Sequence, residues 1–250
     1  MAPLAGRPAI VTGVGSGLGR AIAQELAAEG ALVVGCDVND DAGRATMARI
    51  GSYEHADVSR EADVEALVAA AVARHGRLDV MVNNAAIQIE VELAETTEEQ
   101  LDRILGTNLK GTFFGCKHAV RAMRGSGGGV IVNVASILGL VGDGILAAYC
   151  AAKGGVLGIT RATAVQYGAA GIRCNAICPG DIDTPLVQRY FDTAPDPAAL
   201  RAAVSAEYPL GRIADPREIA RAAVFLASDD AAFMTGQPLV VDGGLLATCY

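Results

Sequence analysis

Tyr149 and Lys153 stand four residues apart in Tyr149-Cys-Ala-Ala-Lys153, within a long run of small and apolar residues. On a helix that spacing places both side chains on one face, one turn apart. A phenol titrates near about 10 and is a poor base at neutral pH. A neighbouring ammonium favours the phenolate and lowers that value, which suits proton transfer to or from an alcohol oxygen. Ser136 follows the β-branched run Val130-Ile-Val-Asn-Val134 and is placed to hold a substrate oxygen beside the phenol. Asn108 opens the helical segment before that run. A Tyr-x-x-x-Lys pair also arises by chance, as a core tyrosine beside a solvated lysine. Its weight here comes from its order after a second constellation.

That constellation is Thr12-Gly13-Val14-Gly15-Ser16-Gly17-Leu18-Gly19, between a first strand and a first helix. A pyrophosphate needs backbone N–H donors at a helix N-terminus and no Cβ in its way, which glycines in this position provide. The spacing is not GxGxxG, and GxxxxGK[ST] is absent, which argues against a nucleoside triphosphatase. A second strand ends near Asp37, where a carboxylate can accept hydrogen bonds from the adenosine ribose hydroxyls. No Arg or Lys stands at 36 or 38 to receive a 2′-phosphate, so NAD is favoured over NADP. An oxidised nicotinamide would add a second positive charge that favours the Tyr149 phenolate.

The elements that must position these residues alternate along the chain. Short β-branched strands are expected at 9–11, 31–34, 53–57, 78–82, 130–134, 173–178 and 239–241. Helical periods lie between them. They include Leu18, Ile22 and Leu26, then a polar helix over 40–50, then the stripe Val64, Leu67, Val68, Ala71 and Val72. Further helices are expected near 97–105, 108–124, 147–168 and 216–227. Near-continuous apolar strands, each followed by a helix, imply an α/β fold: one domain over 1–250, with a doubly wound parallel sheet of about seven strands covered on both faces. The stretch 181–212 carries four prolines and is expected to be an irregular, mobile lid over the site.

Composition narrows the function classes. The 250 residues are 52% apolar and 19% charged, with 30 glycines and a net charge of −8, which excludes a disordered chain and argues against a polyanionic partner such as nucleic acid. Six cysteines at 36, 116, 150, 174, 178 and 249 show neither CxxC spacing nor a nearby His, so they read as reduced structural thiols and no metal is expected. His55, His75 and His118 have no GxSxG nucleophile to serve. No signal-peptide pattern or membrane span is evident, and the chain is expected to be cytoplasmic. Leu138, Ile145, Leu186, Tyr190 and Phe191 are candidates for an apolar substrate wall, with Asp143 and Asp183 as polar selectors. The segments 147–168 and 108–120 are small and apolar almost all round, which suits burial against both the sheet and a partner subunit. Gly154, Gly155 and Gly158 would let the first of these helices pack closely.

Taken together, the motifs resemble the short-chain dehydrogenase/reductase family over nearly the whole chain. Gly13, Gly17 and Gly19, with Ser16 and Leu18 between them, match its TGxxxGxG turn. Asp57-Val58 resembles the segment that holds the adenine. Asn83-Asn84-Ala85-Ala86 resembles its NNAG, with Ala86 in place of the glycine. Pro179-Gly180, Ile182 and Thr184 resemble the segment against the nicotinamide. Asn108, Ser136, Tyr149 and Lys153 fall on its four catalytic positions. The resemblance implies a Rossmann-type fold, a homotetramer, and hydride transfer between NAD(H) and a secondary alcohol or ketone. In that scheme Tyr149 is the acid/base, Ser136 holds the substrate oxygen, and Lys153 lowers the Tyr149 pKa and binds the nicotinamide ribose. Asn108 holds a water that links Lys153 to solvent. An NADP-linked carbonyl or 3-oxoacyl reductase, or a non-catalytic NAD-binding regulator, are the alternatives.

Overall fold

Along the strands successive side chains alternate, yet both sets are apolar. Val11, Val33, Val80, Val82, Val130 and Val132 face one core, and Ile10, Val34, Met81 and Ile131 the other. Such strands must be covered on both sides. The structure, a computed structural model describing residues 2–248, shows this arrangement. In chain order the elements are β1 (Pro8–Thr12), α1 (Gly17–Ala28), β2 (Leu32–Asp37), α2 (Asp40–Met47), β3 (Gly51–His55), α3 (Glu61–His75) and β4 (Val80–Asn83). They continue with α4 (Glu98–Ile104), α5 (Gly111–Met123), β5 (Gly129–Val134), α6 (Ala147–Tyr167) and β6 (Ile172–Pro179). The last are α7 (Pro185–Phe191), α8 (Pro197–Glu207), α9 (Pro216–Ala227) and β7 (Pro238–Val241).

The seven strands form one parallel sheet in the order β3-β2-β1-β4-β5-β6-β7. Helices α1 and α9 pack on one face, and α3, α5 and α6 on the other. The fold is therefore a Rossmann-type doubly wound sheet, as expected. Strand order reverses between β1 and β4, and a crevice opens at the carboxyl ends of the strands at such a switch point. Thr12, Asp37, Asn83 and Val134 stand at those ends.

Three local expectations are corrected. The 181–212 stretch is not irregular: it forms α7 and α8, each with a proline at its first turn, and Asp196 caps α8 by accepting from the Ala199 N–H at 3.0 Å. Proline opens a helix easily because its fixed φ suits the first turn and the missing N–H has no partner there. The helices expected at 97–105 and 108–124 are one continuous run, α4 and α5 joined by a π-helical turn, Leu105–Lys110. Asn108 thus lies inside that turn and does not open a helix. Strand β3 ends at His55, two residues before the expected end, which leaves Asp57 and Val58 in a loop.

Five cysteines are free thiols, all buried but Cys150; Cys249 lies outside the described residues, as do Met1 and Tyr250. Among the described residues no helix is long and apolar enough to cross a membrane.

Candidate active site

The carboxyl ends of the strands border a cavity of about 1280 Å³. The glycine turn opens it. Gly13 and Gly17 have φ of +75° and +50°, the left-handed region that glycine enters without strain. Gly19 is required for another reason: a Cβ there would lie 2.0 Å from the Gly13 carbonyl oxygen. The turn is thus folded tightly on its own chain, and tolerance of a ligand is only part of why it is glycine. Thr12 and Asn84 fasten it, with the Thr12 hydroxyl accepting from the Asn84 and Ala85 N–H groups at 3.0 Å and Asn84 Nδ2 donating to the Thr12 carbonyl at 2.9 Å. At the start of α1, Ser16 supplies no side-chain cap and no acidic residue occupies the first turn. The first N–H groups of α1 therefore face the cavity wall formed by Gly17, Leu18 and Gly19 without a capping anion. An uncapped helix start beside a cavity fits a pyrophosphate.

Asp37 lies at one side of this wall. Its Oδ2 accepts from the Gly15 N–H at 2.8 Å and its Oδ1 from the Asn39 N–H at 2.9 Å, so the carboxylate is fixed in place. A Cβ on residue 15 would touch that carboxylate at 2.8 Å, which explains the glycine there. Arg20, one residue past the turn, is engaged by the Gly15 carbonyl and the Thr46 hydroxyl. Asp57 and Val58 line the same cavity, with Asp57 Oδ1 accepting from the Ser59 N–H and hydroxyl. Ser16, Ala85, Pro179, Gly180, Ile182 and Thr184 line it as well. Together these groups fit a dinucleotide: donors for its phosphates, a carboxylate for its ribose and a long walled trough.

At the other end stand Ser136, Tyr149 and Lys153, all buried and all lining the cavity. Lys153 Nζ donates to the Val134 carbonyl at 2.7 Å and lies 5.4 Å from the centre of the Tyr149 ring. Burial pulls the Lys153 ammonium down to about 8. Burial also pushes the Tyr149 phenol above its ordinary value, and the neighbouring Ser136 hydroxyl opposes the rise only in part. Within the chain itself, without the nicotinamide, desolvation dominates both groups.

Asn108 is buried but does not reach the cavity. Its Oδ1 accepts from the Ile87 N–H at 2.8 Å and its Nδ2 donates to the Ile87 carbonyl at 2.9 Å. Both polar atoms of the side chain are used in holding the segment after β4.

Leu138, Ile145, Leu186 and Tyr190 line the same cavity as Tyr149. Phe191 does not; it is buried with Tyr208 and Ile213 beneath α7 and α8, because the helical turn of α7 aims it inward. Asp143 lines the cavity, whereas exposed Asp183 is turned away by a bidentate ion pair with Arg201, at 3.0 and 2.6 Å. Among the polar lining residues missed in the sequence is Asp181, whose position directly after Pro179-Gly180 was its only signal.

A family model described as enoyl-(acyl carrier protein) reductase matches residues 13–246. The chain is 44% identical to 2,5-dichloro-2,5-cyclohexadiene-1,4-diol dehydrogenase of Sphingobium indicum, over 99% of this chain and all of that one. It is 45% identical to cis-4-hydroxycyclohexanecarboxylate dehydrogenase of Sinomonas cyclohexanicum, over 96% and 97% of the two chains. The crystal structure of levodione reductase superposes with a TM-score of 0.92 at 39% identity, covering 99% of this chain and 100% of that one. A match that runs from the glycine turn to the last strand, in sequence and in fold, leaves one conclusion: the chain belongs to the short-chain dehydrogenase/reductase family, oxidoreductases that act on CH–OH groups.

Proposed function

We propose that the chain is an NAD-linked dehydrogenase of a secondary alcohol, or a reductase of the corresponding ketone. The observation that carries this is that one cavity holds both the uncapped α1 start with Asp37 and the Ser136, Tyr149 and Lys153 group. The diol and the hydroxycyclohexanecarboxylate in the relatives' names are ring alcohols of this class. When bound, the nicotinamide supplies or accepts hydride. Ser136 hydrogen-bonds the substrate oxygen, and Tyr149 takes the alcohol proton or returns it to the carbonyl. Lys153, held by the Val134 carbonyl, binds the ribose and keeps positive charge near the phenol. Asn108 acts as a positioning residue, fixing Ile87 and with it the wall after β4. NAD is favoured over NADP because Asp37 brings negative charge to the ribose and Arg20 is already engaged. A cytoplasmic homotetramer is the assembly proposed, built through the outward sides of α5 and α6.

The test is nicotinamide absorbance with ring alcohols and ketones, run with both cofactors. Tyr149→Phe is expected to keep reduced-cofactor binding and to lose about 100-fold or more in turnover, as removal of a general acid/base does. A near-normal rate in that variant rejects the assignment, and faster turnover with NADP rejects the role given to Asp37.

A further inference from the structure

Asp181 is a carboxylate that the steps above leave without a task. It follows Pro179-Gly180 at the end of β6 and lines the cavity that holds Tyr149. Tyr208, buried at the end of α8, supports it from behind: the tyrosine hydroxyl donates to Asp181 Oδ2 at 2.8 Å and accepts from the Asp181 N–H at 2.7 Å. Oδ1 has no hydrogen-bond or ion-pair partner among the described residues. Among the described residues no arginine pairs with it. Arg201 is paired with Asp183, Arg212 with Glu218, and Arg189 Nε donates to the Pro185 carbonyl. Burial and the charge of Asp143 push the Asp181 carboxyl above its usual range, and the charge of Asp181 is in turn felt at Tyr149. The carboxylate is therefore held by Tyr208 and half-buried, on a residue that lines the same cavity as Tyr149.

A carboxylate oxygen with no partner in the protein can exchange water for a hydroxyl donor that a ligand supplies. A ligand carrying its own negative charge meets repulsion there instead. We propose that Asp181 is a specificity-determining residue whose Oδ1 accepts a hydrogen bond from a second hydroxyl of the substrate, so that the enzyme takes uncharged diols. This rests on the alcohol-dehydrogenase reading above and narrows it. Leu138, Leu186 and Tyr190 supply the apolar wall against which the carbon frame of such a diol lies.

The experiment compares kcat/KM for cyclohexane-1,2-diol, cyclohexanol and 4-hydroxycyclohexanecarboxylate in the wild type, Asp181→Leu, Asp181→Asn and Tyr208→Phe. In the wild type the diol is expected to exceed the monoalcohol by about tenfold, mainly through KM, as one charge-assisted hydrogen bond provides. Asp181→Leu brings that ratio near one. Asp181→Asn keeps part of it, since the amide oxygen still accepts, and raises kcat/KM for the carboxylate substrate about tenfold. Tyr208→Phe leaves Asp181 in place without its support and lowers the ratio as well. Because the readout is a ratio within one protein, partial loss of fold or overall rate does not mimic it. Equal diol and monoalcohol values in the wild type, or an unchanged ratio in Asp181→Leu, overturn the proposal while the dehydrogenase reading stands. Turnover of no alcohol at all with either cofactor removes that reading and this proposal with it.

Discussion

At the scale of single residues, the lysine at the centre of the site is held against its own preference. An ammonium at 10.5 in the open chain and at about 8 when buried binds fewer protons folded than unfolded between those values. Stability therefore rises with pH across that window, and the cost of burying the charge is complete below about 8. Lys153→Met removes this linkage. Between pH about 7 and about 10 the wild type is expected to gain roughly 2 to 3 kcal/mol relative to the variant, at about 1.4 kcal/mol per pKa unit. Tyr149 is linked in the opposite sense, but only above its open-chain value of 10. Urea unfolding of both proteins at the two pH values measures the gap, and a constant gap contradicts a depressed Lys153. The types and order of Ser136, Tyr149 and Lys153 could be read directly from the sequence, because chemistry fixes residue identity. Their pKa directions could not, because burial belongs to the packed chain. Asp181 escaped notice for the same reason, since only the fold brings Tyr208 behind it.

At the scale of elements, the glycine turn and α1 act as a unit. A methyl group at 19 would press on the Gly13 carbonyl at 2.0 Å and on Asn84 Nδ2 at 2.5 Å. Backbone cannot yield as a flexible side chain does, so Gly19→Ala is expected to cost about 1 to 3 kcal/mol and to weaken dinucleotide binding. A thermal melt and a cofactor titration read the two effects, and a variant with wild-type values for both would show that the turn has slack. In α6 the outcome differs. Gly155 is packed, its Cβ position 2.6 Å from the Leu109 side chain, but nothing lies within 4 Å of a Cβ at Gly158, and only the Gly139 carbonyl, at 3.8 Å, near one at Gly154. Close packing within the chain therefore explains one of the three glycines expected to serve it. Strands and long helices were legible because their periods are strong signals. The lid helices were not, because four prolines in 181–212 read as breakers, and only the caps Thr184 and Asp196 ahead of Pro185 and Pro197 show them as starters. The π-helical turn around Asn108 has no sequence period of its own; within it Asn108 is tied to the Ile87 backbone.

At the scale of the molecule, one side of α6 is left exposed by the single chain. Ala151, Gly158, Ala162 and Val165 are exposed along one side, and Val165 is 85% exposed. On neighbouring α5, Phe113 is 52% exposed. These positions lie at helical spacing and carry little charge, so water gains little from contact with them and a second copy of the same face can remove apolar area from solvent. Small residues such as Gly158 would let two backbones approach, which supplies the packing role for this glycine that the single chain does not. The same helix carries Tyr149 and Lys153, so contacts on its outer side would stiffen the element that holds the reacting groups. Sedimentation velocity is expected to show a tetramer for the wild type. Val165→Arg places a charge that would be buried without a partner, and it should give dimers or monomers with reduced turnover per subunit. Val165 is the right position because it is too exposed in the chain to damage the fold: the circular dichroism of the variant should match that of the wild type. A Val165→Arg protein that sediments as a tetramer would remove this side of α6 from the assembly.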